Sequence, residues 1–356
     1  MKNLGQLLMV GIEGTKVTPE VKQFLKDTGC GGVILFKRNI ADLKQLVRLI
    51  GDLQDAASEP LILGVDQEGG RVARLSAPFT VLPPMAAVGQ AAGEGDELAL
   101  RVGKLLGREL AAAGFNIDFA PVLDVRTNAF NPVIGDRAFS PDAHAVARLG
   151  SAFILGLQGE GVAACGKHFP GHGDTDVDSH LGLPMLHHTR RRFDLCELLP
   201  FRAAIDAGVA SMMTAHLMIP NIDAVSPASI SRTITRDMLR GELRFDGVVF
   251  TDDLRMEGSA SIYPPHEAAW RAIAAGADVA MICRGLDEGR MAVERLNRAV
   301  DEGSVGEENV SRSLKRVADF KSRFCLSSAK RPPIKMIGCR EHRKLVDEIS
   351  HLCLDK

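Results

Sequence analysis

Eight short apolar runs recur along the chain, and each is followed by a longer stretch with apolar residues at helical spacing. The runs are LLMVGI (7–12), GGVILF (31–36), LILGVD (61–66), IDFAPVLDV (117–125), VAACGKHF (162–169), ASMMTAHL (210–217), GVVFTDD (247–253) and VAMIC (279–283). Runs of this length bounded by turn residues read as buried strands, and the intervening ADLKQLVRLIGDLQDAA, ELALRVGKLLGRELAAAG and HEAAWRAIAAGA read as amphipathic helices. Glycines at 29, 114, 161, 208 and 276 stand where helix C-caps are expected. Eight strand–helix units predict a parallel sheet closed into a single-domain (β/α)8 barrel. A doubly wound open sheet would compete, but no GxGxxG follows the first strand.

The length of 356 residues suits one such barrel, expected over 1–325 with ENVSRSLKRVADFKSRF as its closing helix. KRPP then marks a break before a short, charged helical tail over 326–356. A net charge of −2 and an aromatic share of 5% give no reason to expect nucleic acid as a partner. No stretch reaches the apolar length of a membrane span, and the N-terminal run is broken by Gly11 and Glu13. Seven cysteines without a CxxC pair read as free thiols in a reducing compartment. The expectation is a cytoplasmic monomer that needs no cofactor or metal.

In such barrels the chemistry sits at the C-terminal ends of the strands. Strand three runs into Asp66 and DQEGGRVAR, strand four into Asp124 with Arg137 following, strand five into Lys167 and His168, strand six into His216, and strand seven into Asp252 and Asp253. The unusual polar residues therefore meet at one rim. Each also has a plainer reading: Asp66 and Asp124 suit helix N-caps, Arg74 and Arg137 suit surface ion pairs, and Glu68 between Gln67 and two glycines suits a turn. His216 is equally suited to a structural bond or to facing a ligand.

The stretch KHFPGHGDTDVDSH (167–180) is too polar and too broken to bury apolar surface. Asp178 and His180, two residues apart, share a side in extended chain. A carboxylate beside an imidazole fixes its tautomer and favours its protonated form, so His180 is a candidate proton donor and, after donating, a base. Gly171 and Gly173 would let the segment swing over a ligand.

KHFPGHGDTDVDSH followed by LGLP, with DQEGGRVARL, NPVIGDRAFS and VVFTDDLRMEG, resembles the family 3 glycoside hydrolases, most closely their single-domain bacterial β-N-acetylhexosaminidases. The resemblance runs from about residue 4 to residue 320. It implies a retaining mechanism with Asp252 as nucleophile, His180 as acid/base and Asp178 as its partner, while Asp66, Arg74, Arg137, Lys167 and His168 hold the sugar. It also implies a substrate in which N-acetylglucosamine is joined β-1,4 to anhydro-N-acetylmuramic acid, a cytoplasmic fragment of wall recycling. LRFDG stands where the family often has LGFDG. The family's β-glucosidases and xylosidases take their acid from a second domain. About 100 residues follow Asp252 and are needed to close the barrel, so the acid is expected on the barrel itself.

Besides a glucosidase-type family member, two other functions fit the residues. A metal-dependent hydrolase would ligate through His168, His172, Asp174 and His180, although His168 and His172 straddle a Pro-Gly turn. A non-catalytic sugar-binding protein would keep the arginines without needing both Asp252 and the Asp178–His180 pair.

Overall fold

The computed structural model describes residues 3–176, 182–325 and 331–354. Eight parallel strands close a barrel in consecutive order: β1 Leu8–Gly11, β2 Gly32–Leu35, β3 Ile62–Val65, β4 Ile117–Asp118, β5 Ala163–Phe169, β6 Ser211–Thr214, β7 Val248–Asp253 and β8 Val279–Ile282. Closure comes from β1 against β8, with Met9 opposite Met281. Period-two alternation splits the strand side chains into two cores. Met9, Ile34, Ile62, Phe119, Met213 and Phe250 fill the barrel interior, where Phe119 and Phe250 meet edge to face at 5.4 Å. Val10, Val33, Leu63, Ala164 and Val249 point outward into the layer shared with the helices.

All eight expected strands form, but β4 is much shorter than the 117–125 run suggested. Pro121 has no N–H to give a ladder, so the pairing stops and resumes only as a bridge between Val122 and Lys167. Leu123 N–H donates to Lys167 O at 2.7 Å, which keeps the chain beside β5 as far as Asp124.

The expected helices span Leu43–Ala56, Glu97–Ala113 and Pro265–Ala275, and Glu307–Phe324 closes the barrel floor. The segment Thr233–Glu242 is wound as a π-helix. Just beyond it Arg244, in LRFDG, has φ +56°, a left-handed conformation that glycine adopts freely and arginine only at a cost of about 1 kcal/mol.

After the Pro332–Pro333 break the tail forms the helix Arg340–Leu354. Leu345 and Ile349 are buried, Arg101 makes a two-pronged bond to Glu348 at 2.7 and 2.6 Å, and His342 Nδ1 meets the buried Glu109 at 2.7 Å. The tail therefore packs against the Met85–Ala92 helix and is bonded to the Glu97–Ala113 helix. No helix among the described residues is long and apolar enough to cross a membrane.

Candidate active site

The C-terminal ends of the strands surround a cavity of about 330 Å³. Asp66, Glu68, Arg74, Arg137, Lys167, His168 and Asp252 line it, with Ile34, Phe36, Met213 and Met281 as its apolar floor and wall. The six described residues expected to work on a ligand are thus all brought together. Asp178 and His180 lie outside the described residues.

Asp66 and Glu68 flank Gln67 where β3 leaves the barrel. Gln67 faces away, and its Oε1 accepts from Arg74 N and Leu75 N at 2.9 and 3.0 Å, which folds the ribbon carrying Arg74 back over the mouth. The turn needs its glycines. Gly69 has φ +99°, and a Cβ there would stand 2.7 Å from Pro83 O.

The two carboxylates share one lysine. Lys167 Nζ donates to Asp66 at 2.8 Å and to Glu68 at 2.6 Å. Arg137 grips Glu68 with two bonds of 2.8 Å, and Arg74 reaches the other Asp66 oxygen at 3.2 Å. Burial opposes charge on every member, yet the opposite charges prevail: Glu68 is held far below the usual carboxylate range, Asp66 is also lowered, and Lys167 and Arg137 are raised. Glu68 therefore does more than hold a turn. It fixes both cations that border the cavity.

Asp124 stands behind this layer, wholly buried, and is no helix cap. It accepts from His168 Nδ1 at 2.8 Å and from the His172 backbone N–H at 2.6 Å, and despite burial the two histidines keep it below its ordinary value. An acceptor-only carboxylate requires Nδ1 to carry the proton, so His168 turns Nε2 toward Arg137, 3.4 Å away. His172 loses basicity through burial, to about 4, and bonds Thr175 Oγ1 at 2.7 Å. Asp174 is engaged by Thr127 and His188 at 2.7 and 2.8 Å. Among the described residues no group of three or more His, Cys, Asp or Glu side chains is placed to hold a metal.

Gly171 and Gly173 are both crowded, and Gly171 also has φ +128°. A Cβ on Gly173 would sit 1.8 Å from Val125 O, and one on Gly171 2.8 Å from the Glu197 side chain. The start of the polar segment is fitted tightly against its neighbours.

The two acids that end β7 are held differently. Asp253 Oδ1 accepts from Cys283 N and Arg255 N at 3.0 and 3.1 Å, and burial raises its pKa. Asp252 accepts one hydrogen bond among the described residues, from Asp253 N at 2.8 Å. Burial resists its ionisation, but His168 and His216 outweigh this and keep it below the usual carboxylate range. Asp252 is thus an ionised carboxylate with lone pairs left for a ligand, which is what a nucleophile requires. His216 proves structural: Nε2 donates to Asp253 O at 2.9 Å and Nδ1 accepts from Ser229 Oγ at 2.8 Å, so it steadies the acidic turn.

Comparison with known proteins agrees with this geometry. Residues 1–320 match the N-terminal domain of glycosyl hydrolase family 3. A β-hexosaminidase of Thiobacillus denitrificans is 44% identical over 280 residues, covering 78% of this chain and 77% of that protein. The chain belongs to glycoside hydrolase family 3, in the branch of the bacterial β-hexosaminidases. Among solved structures, the family 3 β-N-acetylglucosaminidase of Paenibacillus sp. str. FPU-7 superposes with a TM-score of 0.93 at 39% identity, covering 99% of this chain and 68% of that one. NagZ from Neisseria gonorrhoeae, in complex with N-trifluoroacetyl-D-glucosamine, gives 0.80 at 31% identity, covering 98% of each chain.

One residue that supports the mouth had no signal in the sequence. Asp118, inside an apolar run, is fully buried beneath the mouth. Its Oδ1 accepts the Gln67 N–H at 2.9 Å, pinning the turn between Asp66 and Glu68, while its Oδ2 has no partner. Burial lifts its pKa well above the usual range, against the pull of the Gln67 N–H and Lys167.

Proposed function

We propose that the chain is a retaining exo-β-N-acetylglucosaminidase. The observation that carries this reading is Asp252, an ionised, underbonded carboxylate in a sugar-sized cavity bordered by Asp66, Glu68, Arg74, Arg137, Lys167 and His168. Paired charges fixed in place suit the alternating hydroxyls of a pyranose, each of which both donates and accepts. In the first step Asp252 attacks the anomeric carbon, the C1–O bond to the leaving group breaks, and His180 gives that oxygen its proton. In the second, His180 takes a proton from water, the water oxygen attacks C1, and the ester to Asp252 breaks. The sugar leaves with its original configuration, Asp252 is again a carboxylate and His180 again protonated.

The substrate is proposed to be a cytoplasmic fragment in which N-acetylglucosamine is joined β-1,4 to anhydro-N-acetylmuramic acid. The match to NagZ in complex with N-trifluoroacetyl-D-glucosamine supports the N-acetylglucosamine half of this substrate, and the resemblance of the KHFPGHG…DSH stretch to the single-domain bacterial enzymes suggests the other half. A second reading, in which the leaving group is another sugar such as N-acetylglucosamine, is favoured by the closer superposition on the Paenibacillus β-N-acetylglucosaminidase. Comparing turnover of aryl β-N-acetylglucosaminide with that of aryl β-glucoside, with and without chelator, tests the shared core of both readings. The N-acetylglucosaminide should be cleaved much faster, and chelator should change nothing. Equal or reversed preference would defeat the hexosaminidase reading, and loss on chelation restored by zinc or manganese would favour a metal-dependent hydrolase.

A further inference from the structure

Glu109 is a buried carboxylate that the proposed chemistry does not use. It stands on the Glu97–Ala113 helix and is 2% exposed, at a place where an apolar side chain would need no compensation for lost hydration. Its donors among the described residues come from two segments. Thr80 gives its backbone N–H at 2.8 Å and its hydroxyl at 2.6 Å. The tail gives the Gly338 N–H at 2.8 Å and His342 Nδ1 at 2.7 Å. Burial opposes the charge, but the bonds from His342, Thr80 and Gly338 keep Glu109 below its usual range. The two segments also touch directly: Gly338 has φ +62°, and a Cβ there would stand 2.0 Å from Pro78 O. Glu109 therefore fastens the tail to residues 78–80.

Those residues lead to the mouth of the barrel. Leu82 O accepts the Gly70 N–H at 3.0 Å, and a Cβ on Gly70 would stand 2.8 Å from Pro84 Cα. The chain from Thr80 to Pro84 is thus the bed of the turn that carries Glu68 on one side and Arg71, Val72 and Arg74 on the other, all of which line the cavity. The tail backs Arg137 as well. It packs on the Met85–Ala92 helix, which packs in turn on Gly135–Arg137. We propose that Glu109 is a positioning residue for sugar binding: by locking the tail onto Thr80, it holds the turn bearing Glu68 and Arg74 in register with Lys167 and Arg137. The proposal rests on the glycosidase reading above. Groups that grip a ligand must be held to within about 0.5 Å, and directional bonds to a buried charge do this where apolar packing alone could slide.

Glu109→Gln tests it, because it keeps the shape of the side chain. Whichever way the amide is turned, its NH2 meets either the Thr80 N–H or the donors of Gly338 and His342. In folded protein, KM for an aryl β-N-acetylglucosaminide and the inhibition constant of N-acetylglucosamine should rise together by about 10-fold, with kcat within about 3-fold of the unaltered value. Amide hydrogen exchange across residues 67–75 should quicken in parallel. Thr80→Val removes only the hydroxyl and should act in the same direction more weakly, which serves if Glu109→Gln does not fold, while Thr80→Ser should restore the unaltered values. Arg101→Ala cuts the tail's half-exposed pair with Glu348 and should leave exchange and both constants unchanged, whatever it does to Tm. An unchanged inhibition constant or unchanged exchange in Glu109→Gln, or an equal change in Arg101→Ala, would overturn the proposal. If the unaltered protein bound no N-acetylglucosamine, the glycosidase reading would fail, and exchange alone would still decide whether Glu109 holds the turn.

Discussion

The two ends of the barrel carry similar buried charges and put them to different ends. At the floor, just before β8, the wholly buried Asp278 accepts from Val249 N at 2.9 Å, from Ser313 Oγ at 2.7 Å and from Arg240 and Arg316. Arg240 also donates to Phe245 O, Gly247 O and Gly276 O. That cluster closes on itself: strand, π-helix and closing helix are fastened together, and its groups face one another. At the mouth, Asp66, Glu68, Lys167 and Arg137 are equally well paired, but they pair around a cavity. Asp252 accepts a single bond among the described residues, and Arg74 Nε is buried without a partner. Buried ion pairs are weak evidence of stability or of function on their own. The distinguishing mark is whether the remaining valences point at protein or at empty space.

Substitutions can break or sharpen that contrast. The largest effect is expected at Asp252→Asn, which keeps the shape of the site but removes the proposed nucleophile. Turnover should fall on the order of 10⁴-fold or more, with the inhibition constant of N-acetylglucosamine little changed. Asp253→Asn, at a carboxyl already tied to Cys283 N and Arg255 N, should retain far more activity. Next comes His180→Ala, expected to lose about 10²–10⁴-fold on a disaccharide, whose alkoxide needs a proton to leave. It should lose less in the glycosylation of an aryl substrate with an acidic phenol, and azide should restore turnover by intercepting the ester. A uniform loss without rescue would mean that the segment only shapes the pocket.

The mouth and the floor should then separate in kinetics and stability. Asp66→Asn would weaken the charge-assisted contact proposed to hold the sugar and should raise KM roughly 10–100-fold. Asp278→Asn takes the buried counter-charge from the half-buried Arg240 and should reduce unfolding free energy by about 3–5 kcal/mol, with KM unmoved. A KM effect at Asp278, measured on folded protein, would erase the distinction. Smallest is Asp118→Asn. Because burial disfavours charge on Asp118 and an amide oxygen can accept the same Gln67 N–H, the substitution should leave KM within about 2-fold, whereas Asp118→Ala strands that N–H at about 1–3 kcal/mol. A large loss in Asp118→Asn would show that its charge matters.

The alternation of apolar runs made the barrel legible, because each strand buried on both faces reads as a continuous run and each helix as a period. The rim residues followed from strand ends alone. Partnerships could not be read this way. Glu68 looked like a turn residue because Arg137, which grips it, is 69 positions away. Asp118 was hidden in a run whose apolar neighbours suggested only core, and His216 was undecidable until its ring was seen between Ser229 and Asp253. The crowding at the glycines of the polar segment was not legible either, since a sequence does not show the carbonyl or side chain that a Cβ would strike. Strand four was overextended because its apolar run continues through Pro121, where the ladder cannot.

The claim at the centre is that Asp252 becomes covalently bound to the sugar. The direct measurement is to incubate the protein with a fluorinated β-N-acetylglucosaminide carrying a good leaving group, which slows release of the intermediate, and to locate the added mass by peptide mapping. The account predicts one sugar per chain, on Asp252, and none in Asp252→Asn. A label on Asp253, or full turnover of the ordinary substrate with inversion at the anomeric carbon, would contradict it.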